Sequence, residues 1–219
     1  MSVLIQKLIE QGFADRIFSD TQLARVLGGS AQRRYGLVNR ALKAGDLLRV
    51  KRGIYVLAEK FRKHALHPFQ LAQSLCPGSY VSMETALAYH SWIPEAVFTT
   101  VSITPLRKSK QYSHPQLGHY TFHPLSIHQY SFLELVDRIQ INGQTMLVAK
   151  PLRALFDLIC YRKLAWSGLE LIESGLRIDP EILHGIDGQD FNVLKSVYKQ
   201  KRVRQFITNL EEIIMHENA

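Results

Sequence analysis

Cysteine is nearly absent: Cys76 and Cys160 are the two in a chain of 219 residues. Two are too few for a disulfide framework, so packed thiols in a reduced, cytoplasmic protein are expected. Long apolar runs are missing as well. No stretch approaches the roughly 18 residues that cross a bilayer. The N-terminal MSVLIQKLIEQGF lacks an apolar core followed by a small-residue cleavage site. A membrane is therefore not expected as a partner. No G-x-S-x-G, P-loop or G-x-G-x-x-G frame occurs, and there is no internal repeat or low-complexity tract. What remains is an ordinary globular balance of 46% hydrophobic and 21% charged residues, with room for one large domain or two small ones.

Acid is scarce in one place. Residues 1–63 hold 13 Lys/Arg against 5 Asp/Glu, whereas residues 64–219 hold 14 of each. The whole net charge of +8 thus falls in the first 63 residues. Such asymmetry predicts a polyanion-binding domain, 1–63, followed by a neutral domain of another purpose, 64–219.

The basic segment has its own pattern. Leu4, Ile5, Leu8 and Ile9 recur at helical spacing, with Gly12 as a C-cap. Ser19 or Asp20 can cap a second helix carrying Leu23, Val26 and Leu27. Gly28-Gly29 breaks it, and Ser30 can cap a third helix reaching about Ala44. On that helix Ala31, Arg34 or Tyr35, Val38, Ala41 and Leu42 form the expected buried stripe. LLRVKRGIYVL, residues 47–57, reads as a β-hairpin bent at Arg52-Gly53. Three helices and a basic hairpin are the order of a winged helix-turn-helix. The predicted interface with double-stranded DNA is Gln32, Arg33, Arg34, Asn39, Arg40 and Lys43 on the third helix, and Arg49, Lys51 and Arg52 on the wing. The helix would read bases in the major groove, and the wing would hold phosphates. The plain alternative for each is a solvated surface charge.

Residues 64–219 predict a mixed α+β fold with a helical tail. Helices are expected after Pro68, after Ser82 and after Pro151, and strands at Phe98–Thr104 and His119–His123. Phe132–Ile141 and Gln144–Ala149 read as a hairpin about Asn142-Gly143. The segment between, PLRKSKQYSHPQLG, reads as a polar loop. Short helices are expected at Leu169–Leu176, Pro180–Ile186, Phe191–Lys199 and Val203–Met215.

Three blocks resemble the AbiEi family of antitoxins: Arg33-Arg34-Tyr35 with RALKAGDLLRVKRGIYVL (40–57), YVSMETALAYHSWIPE (80–95) and AKPLRALFDLICYRK (149–163). The resemblance implies the antitoxin half of a type IV toxin–antitoxin operon. Its winged helix would bind inverted repeats in its own promoter and repress it, and its C-terminal domain would serve antitoxicity. The implied functional partner is a nucleotidyltransferase-like toxin, bound directly or not. The last fifty or so residues carry no resemblance.

Other chemistries find little support. Seven of the nine histidines lie within residues 64–128, but His119 and His123 fall on a strand, too far apart for one metal. No metal and no cofactor is expected. Glu84 reads as a first-turn helix acid rather than a partner of His90 in acid–base chemistry. A restriction-type nuclease would need an acid where MLVAK has Val148, so no enzyme is expected. KQKRVR (199–204) reads as the solvated start of a helix, and Tyr112, Tyr120, Phe122, Tyr130 and Phe132 as core and strand residues. The rival functional reading is a protein-interaction module whose C-terminal domain binds a partner directly, with DNA binding secondary.

Overall fold

Leu4, Ile5 and Leu8 set the buried face of α1 (Val3–Glu10), which starts where Ser2 Oγ accepts from the Ile5 N–H. The computed structural model describes residues 2–141, 144–183 and 185–217. It divides into two compact units: Met1–Pro77 with 114–117 and 140–146, and 78–113, 118–139 and 147–219.

In the first unit, a two-residue strand β1 (Phe18–Ser19) leads into α2 (Asp20–Leu27). Ser19 caps α2 reciprocally: its Oγ accepts the Gln22 N–H at 3.3 Å, and Gln22 Oε1 accepts the Ser19 N–H at 2.8 Å. Gly28 and Gly29, both at positive φ (61° and 69°), turn the chain. Ser30 Oγ accepts from Arg33 N–H to begin α3 (Ala31–Lys43). The hairpin β2 (Leu47–Lys51) and β3 (Ile54–Leu57) follows, and β1 pairs with β3 to give the order β1-β3-β2. This is the winged helix-turn-helix arrangement. Its core joins Leu4, Leu8, Phe18, Leu23, Val38 and Leu57. The α3 stripe departs from expectation: Val38 and Ala41 are buried, but Ala31 and Tyr35 are exposed, Tyr35 by 70%. The first turn of α3 projects past the core, so helical periodicity there has nothing to face. α4 (Pro68–Leu75) also belongs to this unit; His67 Nδ1 caps it by accepting the Phe69 N–H at 3.2 Å, and Pro68 fills the first position.

The second unit contains β4 (Tyr80–Val81), α5 (Met83–Tyr89), β5 (Thr99–Ile103), β6 (Lys110–His114) and β7 (Gly118–His123). After these come β8 (Val136–Ile141) and β9 (Gln144–Ala149), of which 140–141 and 144–146 fall in the first unit, and then α6 (Pro151–Arg162), α7 (Pro180–Leu183), α8 (Gly188–Val197) and α9 (Lys201–Glu217). The six strands run in the order β6-β7-β5-β4-β9-β8; β4 is antiparallel to β5 and parallel to β9, and β5 is parallel to β7. The chain is thus α+β with a helical tail, as its sequence pattern suggested.

Several details differ. Strand β6 lies in the expected polar loop; as an outer strand it keeps a polar, largely exposed sequence that periodicity does not reveal. Phe132–Leu135 is a turn rather than the start of a strand, because Leu135 takes φ 54° and the carbonyls of Phe132 and Glu134 face Arg153. Leu169–Leu176 contributes a π-helical turn at Leu171–Gly175. The Asn142-Gly143 turn lies outside the described residues, though β8 and β9 flank it.

Helix α6 is buried on every side from Leu152 to Cys160. Arg153 and Asp157, one turn apart, are both 0% exposed and ion-paired at 3.1 Å. Asp157 accepts from Arg153 Nε, Tyr80 Oη (3.0 Å), Ser82 Oγ (2.6 Å) and Tyr198 Oη (2.8 Å). Ser82 therefore does not cap α5 with its side chain; its hydroxyl is spent on Asp157. Burial pulls the Arg153 pKa down, but Asp157 beside it more than offsets this and holds the guanidinium pKa above its ordinary value.

Candidate nucleic-acid interface

The wing is fixed to α2 at its bend. Asp20 N–H donates to Gly53 O at 2.9 Å, and a Cβ on Gly53 (φ 76°) would stand 3.1 Å from Asp20 Oδ2. A side chain at position 53 would thus meet the Asp20 carboxylate. Between α2, α3 and the wing lies a groove of about 550 Å³, lined by Arg34, Tyr35, Arg49, Arg52, Tyr55 and Asp20 among others. Three arginines face one carboxylate there. The Arg49 guanidinium carbon sits 5.9 Å above the Tyr55 ring. Burial, then the Asp20 charge, push the Tyr55 hydroxyl above its ordinary pKa, against a smaller pull from Arg49. Arg49 also lines a second depression of about 380 Å³, with Asn39, Leu42 and Lys43. Arg49 therefore borders both hollows, between α3 and the wing.

The nine sequence-predicted residues divide into three sets. Gln32, Arg33 and Arg40 stand exposed on α3 and line neither hollow. Gly36, between Arg33 and Arg40, has nothing within 4 Å of where a Cβ would stand. Asn39, Lys43, Arg49 and Arg52 border the hollows, with Lys43, Arg49 and Arg52 exposed. The remaining two are tied to the protein, Arg34 while also lining the first groove. Arg34 donates to Gly29 O in the turn between α2 and α3. Lys51 Nζ donates to Leu75 O at 2.9 Å, at the C-terminus of α4, where a cation is favoured.

Sequence reasoning passed over three groups that this arrangement brings in. Tyr35 is exposed at the groove, Tyr55 is its 6%-exposed floor, and Asp20 is its carboxylate. The hairpin reading of LLRVKRGIYVL did not single out Tyr55, whose ring is buried beside Arg49. The choice between Arg34 and Tyr35 for the buried stripe lay within the angular tolerance of a helix.

Among the described residues no group of three or more His, Cys, Asp or Glu could hold a metal ion. No helix there is long and apolar enough to cross a membrane. His119 Nδ1 meets Ser113 Oγ at 3.0 Å, while His123 packs on the Tyr161 ring at 4.5 Å. Glu84 is paired with Arg162 at 2.6 Å, and His90 Nε2 lies 3.0 Å from Ala149 O. An open, cationic, partly aromatic surface on a helix and wing has the chemistry to hold a polyanion.

Residues 6–58 match the family described as transcriptional regulator, AbiEi antitoxin. The resemblance drawn from the first of the three sequence blocks is borne out there; the blocks at 80–95 and 149–163 lie outside the matched residues. No curated protein matches the chain.

Proposed function

From the match of residues 6–58 to the AbiEi antitoxin regulators, we propose that this protein is a DNA-binding repressor acting as the antitoxin of a type IV operon. It works in the cytoplasm without catalysis, on inverted repeats in its own promoter, and counteracts a nucleotidyltransferase-like toxin. The observation that carries the reading is coincidence in place. The matched residues cover the winged helix and carry 10 Lys/Arg against 4 Asp/Glu, most of the chain's net charge of +8. Arg33 and Arg40 are seven residues apart on α3, two turns or roughly 10 Å, with Gly36 open between them. That spacing suits two contacts along one major groove, where Arg grips guanine through two hydrogen bonds. Arg49, Arg52 and Lys43 then meet backbone phosphates, while Arg34 and Lys51 hold the domain in shape.

The test is a reporter fused to the chain's own upstream DNA. The intact protein lowers reporter output, and Arg40→Ala restores it while the protein accumulates normally. A reporter indifferent to the intact protein contradicts repression. Growth rescue from the neighbouring gene product, kept by Arg40→Ala, separates antitoxicity from DNA binding; co-purification with that product would favour the direct-partner reading.

A further inference from the structure

The second unit carries a groove of about 750 Å³ far in sequence from the winged helix. Its lining includes Leu106, Arg107, His128, Tyr130, Leu133 and Lys199, and among the described residues no carboxylate lines it. Tyr130 is 97% exposed, and Leu133 and Leu106 are also open to solvent. Neither Arg107 nor Lys199 has an ion-pair partner among the described residues. An aromatic ring standing free beside two uncompensated cations is a combination that burial and folding do not explain.

The walls are hydrogen-bonded from behind, and one buried cluster supports two of them. Arg153 Nη1 donates to Glu134 O at 2.6 Å, and its Nη2 to Phe132 O at 3.4 Å, which holds the segment presenting Tyr130 and Leu133. Tyr198, hydrogen-bonded to Asp157 from the same cluster, directly precedes Lys199. His128 N–H donates to Val197 O at 2.9 Å and Lys199 N–H to Ser126 O at 3.0 Å, stitching the His128 and Lys199 backbones together. Leu106 N–H is tied to Thr104 Oγ1 at 3.2 Å on the third side. A binding surface held by locked supports needs little reorganisation on binding.

We infer that this groove binds a segment of single-stranded nucleic acid, with phosphates at Arg107 and Lys199 and an unpaired base stacked on Tyr130. The charge demands an anion. The free ring demands a flat apolar partner, which an acidic peptide lacks and a duplex keeps inside its stack. A volume of about 750 Å³ admits a nucleotide or two but not a double helix. Stacking on tyrosine and cationic tracking of the backbone are how unpaired strands are held without sequence preference. This site is separate from the duplex interface proposed for α3 and the wing, and it stands without it.

Fluorescence anisotropy of the full chain with labelled oligonucleotides of about ten nucleotides, oligo-dT and oligo-rU, tests the site. Tyr130→Ala should weaken binding at least about fivefold, and Tyr130→Phe, which keeps the ring, should restore it. Replacing Arg107 and Lys199 by Ala together should flatten the salt dependence by about 1.4 in log–log slope. The tighter of the two oligonucleotides identifies the natural sugar. Tyr130→Ala should leave duplex binding and melting temperature unchanged, because its ring touches nothing the fold needs. Absence of oligonucleotide binding overturns the inference. So does binding that ignores Tyr130→Ala but disappears with Arg49→Ala and Arg52→Ala, which would place the strand on the wing. Displacement of the oligonucleotide by polyglutamate at equal charge concentration also overturns it, since the ring would then contribute nothing.

Discussion

Asp157 accepts hydrogen bonds from four side chains while fully buried, which fills the capacity of a carboxylate. Breaking such a pair from one side leaves an uncompensated charge. Asp157→Ala should therefore destabilise the second unit by about 3–5 kcal/mol, read as a lowered denaturant midpoint. Tyr198→Phe removes one hydrogen bond to an ionised group and should cost about 1.5–3 kcal/mol. An Asp157→Ala protein as stable as the parent would mean the cluster is not held as described. Nothing in LRALFDLICYRK announces this pair. Arg and Asp at i,i+4 is equally the spacing of a surface ion pair. What buries them are Tyr80 and Tyr198, which lie 77 and 41 residues from Asp157. The exposed arginines of α3 were legible for the opposite reason: their burial is decided locally, by neighbours on one helix.

Elements with strong local punctuation were readable, and those without it were not. Ser19, Gly28-Gly29, Ser30 and Arg52-Gly53 mark the ends of α2, α3 and the wing strands. The two-residue β1 and the polar edge strand β6 carry no such marks, and β6 is defined by pairing with β7 rather than by its own residues. The punctuation is itself testable. Gly53→Ala introduces a Cβ at φ 76° and 3.1 Å from Asp20 Oδ2. It should lower stability by about 1–2 kcal/mol and weaken duplex binding, because the wing shifts from α2. A Gly53→Ala protein with parental melting and binding would contradict a fixed wing. His67 caps α4 through Nδ1, and burial lowers its pKa below the ordinary 6.5. The cap is therefore fully present above about pH 6.5 and is lost as pH falls through the lowered value. Between pH 7 and 4.5, His67→Ala should remove part of the parent's acid sensitivity in thermal melts. An unchanged acid profile would exclude this cap as a contributor.

For the molecule as a whole, buried phenols set an alkaline limit. Burial raises Tyr80 and Tyr198, helped by Asp157, and pushes Tyr120 up to about 12. Unfolded tyrosines ionise near 10, so this stability is complete below about pH 10 and drains away as pH rises toward 12. Tyr120→Phe should show a shallower fall in melting temperature between pH 9 and 11; an identical slope would exclude Tyr120. The same scale shows what composition could and could not tell. The placement of charge pointed to the first 63 residues before any helix was drawn. The groove around Tyr130 was invisible, because its walls come from residues 104–107, 124–133 and 199, and its ring read as an ordinary core aromatic.

Under the proposed function, α3 and the wing hold duplex DNA in two different ways. The most direct measurement is a titration of the full chain against its own upstream DNA and random duplex over a range of salt. It is repeated for Arg33→Ala with Arg40→Ala, and for Arg49→Ala with Arg52→Ala. The wing pair should weaken both duplexes alike and reduce the salt slope by roughly 0.9 for each phosphate no longer neutralised. The α3 pair should weaken the upstream DNA far more than random DNA, by about 1–3 kcal/mol for each base no longer gripped. Folded α3 variants that keep the parental ratio of upstream to random affinity would contradict the account.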